Sequence, residues 1–199
     1  MSFLIPVMTA LRKPQEIFTP AEYLERERAA EEKSEYLNGI LVAMAGNTFA
    51  HDLIKGNIHS ELNAQLKGRP CYVFTSDIKV RIERANQFRY PDVSALCGPL
   101  QFHDGEKDAY ENPSLIVEVL SKSTGRHDRA QKFALYRFLD SFAEYLLVAQ
   151  DRMHAELFRK QPDGQWTTES YTAPDEVVTL ESVGCTLRLT EIYDKVPLS

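Results

Sequence analysis

Apolar positions recur with two different periods along the chain. Ile54, Ile58, Leu62 and Leu66 stand four apart, which lines one face of a helix over residues 48–67. His51 precedes Ile54 by three positions and falls on or beside that face. Residues 76–82 alternate instead, with Ile78, Val80 and Ile82 on one side and Asp77, Lys79 and Arg81 on the other. That pattern predicts a half-buried strand. Residues 115–120, Leu-Ile-Val-Glu-Val-Leu, are apolar on both faces except at Glu118, as expected of an interior strand. Residues 128–139 follow as a helix, where Phe133, Leu135, Tyr136, Phe138 and Leu139 give a face broad enough to pack on a sheet.

Local signals set the boundaries of other elements. Pro6 and Pro14 make residues 1–18 an extended arm. Thr19, Pro20 and Glu22 form a helix start with a capping box, and the helix runs to about Ala30. Asn38-Gly39 predicts a two-residue hairpin turn between strands at 35–37 and 40–45. Further strands are expected at 71–74, 88–96, 144–149, 153–159 and 166–171, with a surface loop at 98–113 and a tail following 177–180. Leu187, Leu189, Ile192 and Tyr193 can cover a sheet edge. The order of elements predicts one α/β (α+β) domain over residues 19–199, built on a mixed sheet.

Composition narrows the classes. The 199 residues carry a formal net charge of -6, against non-specific DNA binding through a broad basic surface but not against a local basic cleft. Three widely spaced cysteines, Cys71, Cys97 and Cys185, suggest reduced thiols in the cytoplasm. No apolar run reaches membrane-spanning length and no signal-peptide pattern is present, so no membrane partner is expected.

The chemistry concentrates between Phe88 and Tyr136. A carboxylate inside a buried strand needs a partner, a metal or a raised pKa, so Glu118 is either held by a buried cation or holds a metal itself. Asp92 follows Pro91 at the head of another apolar segment, and is either an oxygen ligand for Mg²⁺ or Mn²⁺ or a turn cap. Asp128, Lys132 and Tyr136 share one helix face. Lys132 can neutralise charge on phosphate or simply pair with Asp128. Lys122, Arg126, Arg129 and Arg137 make this region basic within an acidic chain. Asp77 can add a third ligand or face solvent. Glu35 can place an acid at a sheet edge or lie on the surface. His51 can act as base, ligand or phosphate contact, or merely pack.

Taken together, Lys33-Ser34-Glu35-Tyr36-Leu37-Asn38-Gly39, His51, Asp77, Tyr90-Pro91-Asp92-Val93, Glu118-Val119-Leu120-Ser121 with Ser123-Thr124, Asp128, Lys132, Tyr136 and Glu144-Tyr145 resemble the Uma-two family of restriction-endonuclease-like proteins. The resemblance spans about residues 19–192 and places the chain in the PD-(D/E)xK nuclease superfamily. It implies a mixed sheet flanked by helices and Mg²⁺-dependent cleavage of nucleic acid, DNA first. A homodimer is expected on separate grounds, because one small domain offers limited surface to span duplex DNA. Asp92 matches the first acid, Glu118 the second, and Glu35 an additional acidic position. The superfamily's usual lysine lies two residues beyond the second acid, where this chain has Leu120. Lys132 is the expected replacement, with Lys122 as runner-up. Asp92, Glu118 and Asp77 are the expected metal ligands. His51, Lys122, Arg126 and Arg129 are the expected nucleic-acid contacts. Without a lysine in the site, the same fold would serve as a binding or regulatory module.

Overall fold

The computed structural model describes residues 16–105, 107–120 and 125–198, the side chains of 125–129 excepted. Most of the expected N-terminal arm and the Ser121–Thr124 stretch, with Lys122, therefore fall outside the described residues.

The helix α1, Pro20–Ala29, starts as its capping sequence requires. Glu22 N–H donates to Thr19 Oγ1, and Thr19 N–H donates back to Glu22. β1 (Ser34–Leu37) and β2 (Ile40–Ala43) form the hairpin around Asn38-Gly39, both at positive φ as this turn demands. The long helix α2, Phe49–Leu66, is capped by Thr48 and buries Ile54, Ile58, Leu62 and Leu66.

Strands β3 (Cys71–Thr75), β6 (Val93–Cys97), β8 (Leu115–Leu120), β9 (Glu144–Ala149), β10 (Ala155–Lys160) and β11 (Trp166–Tyr171) build a six-stranded sheet in the order β11-β10-β9-β8-β6-β3. The sheet is mixed, since β8 and β9 run parallel while the other neighbours are antiparallel. β8 is interior. Its Leu115, Val117 and Val119 face a core shared with α2 and with the C-terminal Leu187, Leu189 and Ile192. Ile116 faces the opposite core, shared with Tyr136 of α3 (Gly125–Tyr136), Phe142 and Tyr145. The period-two alternation of the strand thus selects which helix each residue meets. Helices on both faces of a mixed sheet are the arrangement the sequence implied.

A second sheet, ordered β2-β1-β5-β4-β7, adds β4 (Lys79–Ile82), β5 (Gln87–Arg89) and β7 (Ala109–Tyr110). Several expectations change here. Residues 88–96 are not one strand. The segment breaks at Tyr90-Pro91, so β5 stays in the five-stranded sheet while β6 enters the six-stranded one. Proline lacks the N–H that a continuous ladder would use, and the chain changes sheets there. The strand expected at 76–82 shortens to Lys79–Ile82, and all four residues are buried. Its charges are paired rather than solvated. Lys79 meets Asp108 and lies over the Tyr90 ring, while Arg81 meets Glu83 and Asn86 and lies over Phe88. The loop at 98–113 contributes β7, parallel to β4.

Cys71 and Cys97, opposite each other on β3 and β6, form a disulfide, contrary to the expectation of three free thiols; Cys185 is free and buried. The sequence separation of 26 hid a pairing that strand register brings together. The C-terminal apolar residues cover a sheet face rather than an edge. β12 (Val177–Leu180) and β13 (Cys185–Arg188) form a small hairpin beside α2, followed by α4 (Leu189–Ile192). Among the described residues, no helix is long and apolar enough to cross a membrane.

The α2 seam should dominate stability. Ile58 is fully buried, so Ile58→Ala removes its transfer energy and leaves a cavity. Denaturant unfolding is expected to show a loss of about 2–5 kcal/mol with an unchanged slope.

Candidate active site

The break at Tyr90-Pro91 sets the position of Asp92. β6 and β8 are antiparallel with Val93 opposite Val117, so one further step along the register puts Asp92 beside Glu118. Both then share the face carrying Ser94 and Ile116. Asp92 Oδ2 accepts the Val119 N–H at 2.8 Å, which anchors the carboxylate across the strands. Its Oδ1 lies 2.8 Å from His51 Nε2. The Thr48 cap holds His51 in the first turn of α2, so the helix start delivers the imidazole to the strand end.

Glu118 is buried and doubly held. Lys132 Nζ donates to Oε2 at 2.9 Å, and Tyr136 OH donates to Oε1 at 2.9 Å. The four-residue spacing on α3 stacks these two donors over the same strand position. Glu35, on β1, accepts from Arg89 Nη1 at 2.5 Å. Arg89 and Glu35 are both largely buried.

Burial pushes the Glu118 carboxyl up to about 7. The Lys132 ammonium pulls it down, and the Asp92 and Glu35 carboxylates push it up. Three acids therefore feel one another in a buried setting. The Tyr136 hydroxyl is raised well above its ordinary range, first by burial and then by the Glu118 charge, so it stays a hydrogen-bond donor.

The structure thus brings together Asp92, Glu118, Lys132, His51 and Glu35. Asp77 sits apart from this set of bonds. Its side chain is exposed and hydrogen-bonded to Lys33 and Thr75. Lys33 holds its carboxyl below the ordinary range. Lys122 lies outside the described residues, as do the side chains of Arg126 and Arg129 on α3. Arg89 was not singled out from the sequence, although it directly precedes Tyr90-Pro91-Asp92. Tyr136 was read mainly as core, and its buried hydroxyl is what completes Glu118.

The family model Uma2, described as "Putative restriction endonuclease", matches residues 20–190. The chain belongs to the Uma2 family. An uncharacterized protein of Synechocystis sp. is 38% identical over 150 residues, covering 75% of this chain and 85% of its own length. A second uncharacterized Synechocystis protein is 35% identical over 175 residues, covering 88% and 90%. The crystal structure of a "putative nuclease belonging to DUF820" from Anabaena variabilis superposes with a TM-score of 0.72 at 20% identity, covering 90% of this chain and 99% of that one. At that identity the likeness establishes the fold alone, a restriction-endonuclease-like core with a mixed sheet flanked by helices.

The Uma2 chain also carries a cluster that the sequence did not suggest. Ligand atoms of Glu83, His103 and Glu111 lie within 4.8 Å of one another, a candidate metal-binding set. Glu83 follows β4, while His103 and Glu111 flank β7. Their positions are already satisfied without a cation. Arg81 donates to Glu83 at 2.6 Å, and His103 Nδ1 lies 2.6 Å from Glu111 Oε1. Among the described residues, Asp92, Glu118 and Glu35 do not draw together this closely, because each carboxylate is held by its own donors.

The buried acid makes a pH prediction. Glu118 has its folded pKa raised from 4.5 to about 7, so the folded state binds its proton more tightly than the unfolded chain. The associated stability is full below the unfolded value and is lost as pH rises through about 7. With chelator present, wild type should lose stability relative to Glu118→Gln between those limits, by about 3 kcal/mol at most. Thermal melts across that range test this. Parallel pH profiles would show that Glu118 titrates as an ordinary exposed acid.

Proposed function

We propose that the protein is a divalent-metal-dependent endonuclease that hydrolyses phosphodiester bonds, with DNA as the first substrate to test. The observation that supports this most is the placement of Asp92 beside Glu118 at adjoining strand ends, with Lys132 in contact. The donor set suits Mg²⁺ or Mn²⁺, since carboxylate oxygens are the ligands hard cations prefer. The mutual repulsion of Asp92, Glu118 and Glu35 is also what a dication would relieve. Asp92 and Glu118 would hold it, with Glu35 assisting. Asp77 would have to leave Lys33 to contribute. The bound ion would supply Lewis acidity toward the phosphate.

The chain's own residues divide the remaining work. Lys132 stabilises negative charge gathering on the phosphoryl oxygens, an interaction strengthened where water is sparse. Lys132 would serve in place of the superfamily's usual lysine, since the strand position two beyond Glu118 is Leu120 and Lys132 contacts Glu118 from α3. Tyr136 fixes the second Glu118 oxygen. His51 orients Asp92 and lies close enough to take part in proton transfer or phosphate contact. Arg89 holds Glu35 in place. Lys122, Arg126 and Arg129 are candidates for contacts along the nucleic-acid backbone.

One feature favours a second reading. Both Glu118 oxygens are occupied by Lys132 and Tyr136, a closed network that a binding or regulatory module would need no metal to maintain. Cleavage of a DNA and RNA panel with Mg²⁺, Mn²⁺ or EDTA separates the two. Asp92→Ala, Glu118→Ala and Lys132→Ala should each reduce metal-dependent cleavage by about 10²–10³-fold or more. Metal-independent binding that survives Asp92→Asn and Glu118→Gln, with no cleavage by wild type, would favour the module instead.

A further inference from the structure

The two edges of the six-stranded sheet differ in character. β11 is polar along most of its exposed length and carries Glu169. β3, Cys-Tyr-Val-Phe-Thr, is uncharged and rich in strand-forming residues. Native edges are normally blunted by charge, proline or a bulge, and β3 has none of these within it. Tyr72 is an exposed large aromatic, and its ring stacks on Phe74 at 6.2 Å.

Which backbone groups of β3 face outward follows from its pairing with β6. Cys71 and Cys97 have Cα atoms only 4.0 Å apart, the spacing of a non-hydrogen-bonded antiparallel pair. Gly98 N–H donates to Pro70 O in the adjoining pair, which fixes the same phase. Tyr72 and Phe74 therefore bond to β6, while the backbone groups of Cys71, Val73 and Thr75 point away from it. Cys71 N–H is taken by Arg69 O, and Thr75 O accepts from Ile78 N–H. The remaining outward groups are both those of Val73, the Cys71 carbonyl and the Thr75 N–H. Among the described residues, no segment pairs with them in the sheet order.

We propose that β3 pairs antiparallel with β3 of a second copy of this chain about a two-fold axis at Val73, joining two six-stranded sheets into one. In this register Val73 meets itself and uses both outward groups, and each Cys71 carbonyl meets a Thr75 N–H. No outward group is used twice and none of the four is left over. Tyr72 falls opposite Phe74 of the other copy, extending the ring stack across the seam, an aromatic pairing that stabilises sheets. An unrelated partner strand would not be expected to match on both counts. The interface rests on the sheet edge and does not depend on the chemistry assigned to Asp92 and Glu118.

Two substitutions probe the edge without touching the β6 ladder. Val73→Pro removes an N–H that points away from β6, the position where an edge strand tolerates proline. Tyr72→Lys places a cation at an exposed site. Light scattering and sedimentation of the full chain should give twice the 22.7 kDa chain mass for wild type. Both variants should give the single-chain mass with unchanged circular dichroism. In wild type, the Val73 and Thr75 amides should be protected from hydrogen exchange in the dimer and lose protection on dilution. The Tyr72 and Phe74 amides should stay protected throughout. A single-chain mass for wild type at every concentration overturns the proposal. So does a dimer that neither substitution weakens, or fast exchange of Val73 and Thr75 where the dimer prevails.

Discussion

Glu118 is a carboxylate buried in an interior strand, and the elements around it are arranged to answer that charge. An unpaired buried carboxylate would cost several kcal/mol or neutralise itself by binding a proton. Lys132 and Tyr136 reach it from α3, which requires the helix to lie on that face of the sheet. The same packing puts Phe133 against Tyr145, Phe158 and Trp166. The polar contact and the aromatic core therefore hold α3 in one orientation. What the pairing does not do is quiet the site. Asp92 and Glu35 add like charge, and Glu118 remains poised near neutrality. A purely structural network would gain stability from replacing such acids with apolar groups of similar volume, whereas a charged cleft keeps the capacity to attract a cation.

The second constraint is Pro91. By ending one ladder and letting the chain cross to another sheet, it makes Asp92 the residue directly before β6 and the neighbour of Glu118. His51 then closes the site from the far side of the sheet. α2 packs on the face opposite α3, and His51 in its first turn reaches Asp92. Residues from both faces thus converge at one end of the sheet.

Much of this was legible in the chain. The four-residue spacing of α2, the capping box of α1 and the Asn38-Gly39 turn are local signals, and local physics decides them. The uninterrupted apolar character of residues 115–120 indicated an interior strand. The difficulties were non-local. The alternation of 76–82 looked half-solvated because Lys79 and Arg81 are charged, yet both are buried, Lys79 under the Tyr90 ring and against the distant Asp108, Arg81 under the Phe88 ring and against the nearby Glu83. The Cys71–Cys97 bond depends on strand register, which no spacing rule supplies. The Glu83, His103 and Glu111 set is assembled from three separate turns of chain, with no motif to mark it. Arg89 is likewise recognisable only once Glu35 is seen beside it.

Two acid-bearing sets now compete for the role of metal centre, and direct cation binding distinguishes them without relying on catalysis. Calorimetric titration with Mn²⁺ should be carried out on wild type, Asp92→Ala, Glu118→Ala and His103→Ala, each checked for folding. Binding that disappears in Asp92→Ala and Glu118→Ala but persists in His103→Ala is the result expected if the strand-end carboxylates hold the ion. Binding unchanged by either carboxylate substitution and abolished by His103→Ala would contradict that assignment.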